Sequence, residues 1–154
     1  MTIAVMAFVM SVSSCGSDDN DEPEVAVATQ VAGSYTGNEI FVVDAEESSN
    51  ETKTYQFVKA TDTSVDMTIP EVGMGMMTIP SLSVKGITLT KDGTTIKGKL
   101  ASYDGTVKGA DGSDKSYTVS DLTALFSGKT VVVTYSLKYG RMPFPFEGQF
   151  TGTK

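Results

Sequence analysis

The segment VVVTYSLKY, residues 131–139, shows most clearly how this chain folds. Its odd-numbered positions are all apolar or aromatic, whereas its even-numbered positions carry Thr134, Ser136 and Lys138 after a single valine. Because successive side chains of a β-strand point to opposite faces, this alternation predicts a strand that is buried on one side.

The same alternation continues along the chain in both directions. Ile96 and Leu100 alternate with two lysines, and Asp-Gly dipeptides, which are typical of tight hairpin turns, interrupt the pattern. The predicted strands cover residues 33–43, 52–60, 63–69, 75–84, 86–91, 94–104, 114–126, 129–139 and 144–152.

Two places break the alternation. The apolar phase changes at Gly86, which predicts a β-bulge or a sharp bend there. In residues 120–128 the apolar positions have helical spacing, so the segment is either a short helix or a strand with a bulge near Asp121. The alternation of Tyr117 and Val119 into this segment favours the strand.

The composition favours strands and excludes several kinds of active site. The 154 residues include 20 Thr and 17 Val but only 6 Leu, and β-branched residues are enriched in strands. There is no His and a single Cys, which excludes Ser-His-Asp and Cys-His catalysis, His-ligated metals and an internal disulfide. No carboxylates have the spacing of a glycosidase pair or a calcium loop. We therefore expect one all-β domain that is not an enzyme and holds no cofactor or metal.

The short connections predict an antiparallel meander. Eight or nine such strands either close into a barrel, the preferred prediction, or split into a β-sandwich, because exposed sheet edges promote aggregation. The string Gly-Ser-Tyr-Thr-Gly at 33–37 resembles Gly-Gln-Phe-Thr-Gly at 148–152. Since the first and last strands of an up-and-down barrel are neighbours, either the two strings pair, with Tyr35 against Phe150, or their similarity is due to chance in a chain with 15 Gly and 20 Thr.

The negative charge is concentrated near the start of the chain. The formal charge is −7, and five of the 19 acidic residues lie between Asp18 and Glu24. The remainder is nearly neutral, so the electrostatic signature of a nucleic-acid-binding protein is absent and we expect no nucleic-acid partner.

The first residues predict export and lipidation. Residues 2–12 form an uncharged apolar run that is too short to span a bilayer and has the length of a signal-peptide core. Val12-Ser13-Ser14-Cys15 resembles the lipobox of bacterial lipoproteins, which implies cleavage before Cys15 and acylation of its thiol. We therefore expect a signal peptide over 1–14, an acylated cysteine with an acidic tether over 15–32, and the folded domain over 33–154. The alternatives are a leaderless chain with a spare thiol and, within the tether, a short strand over 25–31.

A lipidated Cys15 would place the protein on a membrane. Two or three acyl chains give stable anchoring, whereas one gives only weak binding. Gly16-Ser17-Asp18-Asp19 resembles the surface-export signal of Bacteroidetes lipoproteins. These features predict an outer-membrane lipoprotein exposed at the cell surface, with a periplasm-facing protein as the alternative.

The domain resembles the calycin-like (lipocalin-like) lipoproteins of Bacteroides and its relatives. The residues that carry this resemblance are 31–37, 55–58, 137–144 and 150–154. It implies a small β-barrel and no known activity. Lipocalins stack a C-terminal Arg on a Trp of the first strand. Here Tyr35 follows Gly33 at the Trp position, and the sole arginine is Arg141, which implies a Tyr35–Arg141 cation–π contact. Barrel closure is accordingly assigned to Gly33, Tyr35, Arg141 and Phe150.

A methionine-rich loop is the candidate ligand site. Met67, Met74, Met76 and Met77 cluster around two glycines, and methionine adapts to varied apolar ligands. Together with Tyr135 they are predicted to contact a ligand at the barrel mouth. The alternative is ordinary core filling.

These features predict a non-catalytic cell-envelope lipoprotein. It would bind a small apolar or amphipathic molecule in the barrel, or an envelope protein partner at the rim. The alternative is a structural or interaction lipoprotein, such as a subunit, adhesin or inhibitor, whose barrel core is solid. An internal cavity would favour the first function, and an interior filled by side chains would favour the second.

Overall fold

A computed structural model describes residues 24–74 and 77–154, so the predicted signal peptide and Cys15 lie outside the described residues. The elements are α1 (Val27–Val31), β1 (Gly33–Val43), β2 (Glu46–Thr61), β3 (Ser64–Ile69), β4 (Val72–Met74), β5 (Met77–Ile79), β6 (Leu82–Asp92), β7 (Thr95–Lys108), β8 (Asp114–Ser127), β9 (Thr130–Tyr139) and β10 (Phe146–Thr153). In the described part of the chain, no helix is long and apolar enough to cross a bilayer.

Eight of the strands close into an antiparallel barrel. Their order around the wall is β1-β10-β9-β8-β7-β6-β3-β2, while β4 and β5 form a separate two-stranded hairpin. The predicted barrel is thus confirmed and the sandwich alternative is wrong. The alternation seen in residues 131–139 accounts for the shared core, because β9 and β10 bury every second side chain on the inner face of the barrel.

The first and last strands pair as predicted, but in a different register. Gly37 lies opposite Gly152, and Phe150 lies opposite Glu39 rather than Tyr35. A Cβ atom on Gly37 would lie 1.9 Å from the Thr151 carbonyl oxygen, so only glycine permits this close approach. The predicted Tyr35–Phe150 pairing is therefore wrong. The similarity of the two strings did not determine the offset between them.

Several strand boundaries differ from the prediction. The predicted strand over 75–84 is instead the β4–β5 hairpin, of which the described part ends at Ile79, followed by the start of β6. Pro70 and Pro80, which cannot donate to a sheet ladder, flank the hairpin. The predicted strand over 86–91 is part of β6. Strand β2 begins at Glu46 rather than at residue 52, and β7 continues to Lys108.

Both predicted irregularities are present. Gly86 has a φ of 81°, and the register of β3 against β6 shifts beside it. Residues 120–127 belong to β8, and Asp121 has a φ of 51° where the register against β9 shifts. The strand prediction for this segment is confirmed, because a bulge inserts one residue and so mimics helical spacing locally.

The two ends of the barrel are covered in different ways. At one end, here called the closed end, α1 buries Ala28 and Val31, and the Tyr35 hydroxyl donates to the Val31 carbonyl over 2.9 Å. Residues 27–31 therefore pack on the domain, where the sequence predicted a tether or a short strand. At the opposite end, here called the rim, the β4–β5 hairpin buries Val72 and Ile79.

Candidate functional site

The rim carries a cleft of about 410 Å³. Three segments form it: the start of β5, the β7–β8 turn, and the loop that follows β9. The lining residues are Met77, Thr78, Ala110, Asp111, Lys115, Tyr139, Gly140, Arg141 and Met142.

The cleft combines an apolar wall with a cation. Met77 and Met142 are half-buried and pack against the core, and Tyr139 is buried beside them. Arg141 is exposed, and among the described residues it has no carboxylate within 4.0 Å. This arrangement can hold an apolar group against the methionines and an anion at the guanidinium.

The nearby acidic residue is already engaged. Asp111 accepts hydrogen bonds from the Ser113 hydroxyl at 2.7 Å and the Ser113 amide at 3.0 Å. These bonds, with the charge of Lys115 as a smaller contribution, lower the pKa of Asp111 to about 2. The Lys115 ammonium lies 3.6 Å from the same carboxylate. Asp111 is thus ionised and partly neutralised by Lys115, whereas Arg141 forms no ion pair with any of the described carboxylates.

The structure separates the predicted ligand residues. Met77 lines the rim cleft. Met67 and Tyr135 are buried in the core. Met74 contributes its backbone to β4, but its side chain lies outside the described part, as does the whole of Met76. Met77 therefore lies at the rim cleft, while Met67 fills the core.

Aromatic rings pack the barrel interior from end to end. Near the closed end, Phe57 contacts Tyr35 and Phe126 at centroid distances of 5.6 and 5.1 Å. In the middle, Tyr55 stacks on Phe150 at 4.0 Å. Towards the rim, the Phe41 ring makes edge-to-face contacts with the rings of Tyr135 and Phe146. The interior therefore fits the solid-core alternative better than a hollow one.

A polar network lies within this aromatic core. Glu39 is fully buried, and the Tyr55 hydroxyl donates to its Oε2 atom over 2.5 Å. The Tyr55 and Tyr135 hydroxyls share a further hydrogen bond of 2.7 Å. The second carboxyl oxygen, Oε1, is buried and has no hydrogen-bond partner among the described residues. The network links β1, β2 and β9 across the interior.

Burial determines the protonation of this network. Desolvation raises the pKa of Glu39, and the hydrogen bond from Tyr55 and the charge of Lys53 only partly offset that effect. Burial likewise raises the pKa of Tyr55 and of Tyr135, so both phenols stay neutral. Sequence reasoning missed Glu39. The signal was the position of Glu39 in the inward phase of β1, with Tyr35 and Phe41.

The structure places the residues predicted to close the barrel at opposite ends of it. Arg141 lines the rim cleft, at the end of the barrel opposite Tyr35, so the predicted Tyr35–Arg141 contact is wrong. Lys154 takes that place, with its ammonium 5.3 Å from the centre of the Tyr35 ring. It also donates to the Gln30 carbonyl over 3.1 Å and so ties α1 to the last strand. Phe150 and Gly33 lie on the predicted strands.

Within residues 24–74 and 77–154, no group of three or more His, Cys, Asp or Glu side chains is arranged to hold a metal ion.

Comparison with known proteins finds a structural relative. The chain is similar to a solved structure of a provisionally assigned outer membrane protein from Bacteroides fragilis, with a TM-score of 0.63 and 18% sequence identity. The match covers 84% of this chain and 53% of the other, so this chain spans about half the length of that protein. No family model matches the sequence, and no curated protein matches it. At this identity the likeness concerns the fold alone.

Proposed function

We propose that this protein is a non-catalytic cell-envelope protein that binds an amphipathic molecule with an anionic group in the rim cleft. The observation that carries the proposal is the cleft of about 410 Å³ in which Met77, Tyr139 and Met142 adjoin Arg141. Small-molecule sites in proteins have volumes of this order and combine an apolar lining with a few polar groups.

The two kinds of lining residue suggest two parts of the ligand. The methionine side chains are flexible and suit an alkyl or ring system of variable shape. The guanidinium of Arg141 suits a carboxylate, phosphate or sulfate group, to which it donates two hydrogen bonds at once. Phe144, which is 52% exposed, lies on the same loop as Arg141 and Met142 and offers a further apolar surface.

The packed interior favours the rim over the barrel lumen as the binding site. A ligand inside the barrel would have to displace aromatic side chains that are in contact with one another. The absence of histidine from the sequence supports a role without catalysis.

Binding of a matched pair of probes tests the proposal. We expect a long-chain carboxylate to bind and its uncharged alcohol of equal length to bind more weakly, as measured by intrinsic tyrosine fluorescence or calorimetry. Arg141→Gln should weaken carboxylate binding by about tenfold and leave alcohol binding unchanged. Lys138→Gln, an exposed lysine outside the cleft lining, is the matched control. Equal binding of the carboxylate by wild-type and Arg141→Gln protein would contradict the proposal.

A second candidate is an interaction lipoprotein with a solid barrel, such as a subunit, adhesin or inhibitor. The end-to-end ring packing favours it. It predicts that neither probe binds and that the protein purifies from envelope extracts with a stoichiometric protein partner.

The envelope location rests on Cys15 and on the structural relative, whose name refers to the outer membrane. We infer that acylation of Cys15 anchors the protein in that membrane, with its domain at the cell surface or facing the periplasm. Cys15→Ala should abolish incorporation of a labelled fatty acid and release the protein from membranes. Unchanged membrane association of this variant would contradict the inference.

A further inference from the structure

The barrel wall has an unpaired edge along β7. Strand β6 pairs with β7 only from Thr88↔Lys99 to Asp92↔Thr95. Beyond that point Gly86, with its positive φ and its amide bound to the Asp66 carboxylate over 3.1 Å, bends β6. Residues 100–108 of β7 consequently pair with β8 on one side and, within the described residues, with no strand on the other.

The direction of the free backbone groups follows from two hydrogen bonds. The Gly109 amide donates to Ser113, its register partner across the β7–β8 turn, over 2.8 Å. The Ser116 carbonyl, opposite Thr106, accepts from Gly140 beyond β9 over 2.8 Å and so points away from β7. Since N–H and C=O groups alternate in direction along a strand, those of Asp104, Thr106 and Lys108 point out of the free edge.

The side chains along this edge are self-complementary. Asp104, Thr106 and Lys108 are all exposed. If two copies of the edge pair in antiparallel fashion about Thr106, Asp104 of each lies opposite Lys108 of the other. The same register makes all three positions hydrogen-bonded pairs. Opposite charges directly across an antiparallel pair are stabilising.

We propose that two copies of this chain associate through their β7 edges, Thr106 against Thr106 on a two-fold axis, with Asp104 opposite the second copy's Lys108. This isologous contact joins the two barrel walls and removes the exposed strand edge from each. The contact is independent of the rim cleft proposed above.

The contacts that Lys108 and Asp104 make within one chain leave both side chains able to pair with a second copy. Lys108 pairs with Asp114 over 2.7 Å on the surface, where such a pair contributes little. Asp104 accepts from the Thr118 hydroxyl through Oδ1, which leaves its other carboxyl oxygen for a lysine of the second copy. Substitutions at either position therefore act on the contact between copies while the fold is retained.

Sedimentation velocity over a concentration series, in reductant, tests the proposal. The 154-residue chain should show a monomer–dimer equilibrium. Lys108→Glu and Asp104→Lys each place like charges opposite one another twice, so each variant alone should dimerise about tenfold more weakly. An equimolar mixture of the two variants restores both opposite-charge pairs and should form a heterodimer about as readily as the wild-type chain dimerises.

Two controls make the outcome decisive. Lys138→Glu should leave the dimer unchanged, and thermal unfolding should show that every variant is folded. A wild-type chain that is monomeric at every concentration overturns the proposal. So does a dimer that Lys108→Glu leaves intact, or a mixture of the two variants that fails to associate.

Discussion

The Tyr55 hydroxyl donates a 2.5 Å hydrogen bond to Glu39, the charged residue that the barrel buries completely. A carboxyl group in this position costs free energy when it is ionised, because the surrounding rings cannot solvate the charge. One hydrogen bond and the nearby Lys53 offset part of that cost, yet the pKa of Glu39 remains raised. The stability of the barrel therefore depends on whether Glu39 is protonated.

The stability of the wild-type barrel should decline relative to Glu39→Gln as the pH rises. A carboxyl whose pKa is higher in the folded than in the unfolded chain stabilises the fold fully below its unfolded value, near 4.5, and this contribution is lost as the pH rises through the folded value. Urea unfolding of both proteins at a series of pH values measures the difference. Glu46→Gln, at an exposed position, is the control, and its unfolding free energy should change with pH as that of the wild type does. The same pH dependence in Glu39→Gln and the wild type would refute the role of Glu39.

Tyr55→Phe should be among the most destabilising conservative substitutions in the chain. It removes the shared hydroxyl and leaves the Glu39 carboxyl and the Tyr135 hydroxyl buried without that partner. The expected loss is about 2–4 kcal/mol of unfolding free energy, since each unsatisfied buried group costs about 1–3 kcal/mol. Chemical denaturation measures it. Tyr103→Phe, at a half-buried ring, is the control, and an equal, small effect at both sites would contradict the network.

How far the sequence determined this picture depends on what each pattern encodes. Strand β9 was predicted to within one residue, because its alternation directly reflects one buried and one exposed face. The β4–β5 hairpin was missed, since its methionines, glycines and flanking prolines do not alternate. The position of the hairpin depends on the burial of Val72 and Ile79 at the rim. That burial needs contacts between distant parts of the chain, which a local pattern does not encode.

The candidate sites show the same limit. Met77 lines an accessible cleft, as a predicted ligand residue should. The residues beside it come from the loop after β9 and the β7–β8 turn, and only the closed barrel brings these segments together. Glu39 resembles any solvated strand residue until the ring packing around it is known. Lys154 replaces Arg141 over Tyr35 because the register of β10 against β1, rather than residue type, decides which cation reaches that ring.

Lys154→Ala should loosen α1 without opening the barrel. The substitution removes the ammonium over the Tyr35 ring and the bond to the Gln30 carbonyl. The expected cost is about 0.5–1 kcal/mol, because the site is exposed. Hydrogen exchange should show faster exchange at the Ala32 amide, which is bonded to Ala28, and unchanged exchange in β9. Uniform acceleration throughout the chain, or none at all, would argue against a local role for Lys154.

Gly37→Ala should disrupt the seam at which the barrel closes. The added Cβ atom would lie 1.9 Å from the Thr151 carbonyl oxygen and 2.5 Å from the Gly152 Cα atom, both of them backbone atoms that cannot move aside without separating β1 from β10. We expect a loss of about 3 kcal/mol or more, at or above the upper end for overpacked sites. Gly73→Ala is the matched control, because a Cβ atom there meets no atom of the described residues within 4 Å. Thermal unfolding of the two variants compares them directly, and equal melting temperatures would mean that the seam does not depend on this close approach.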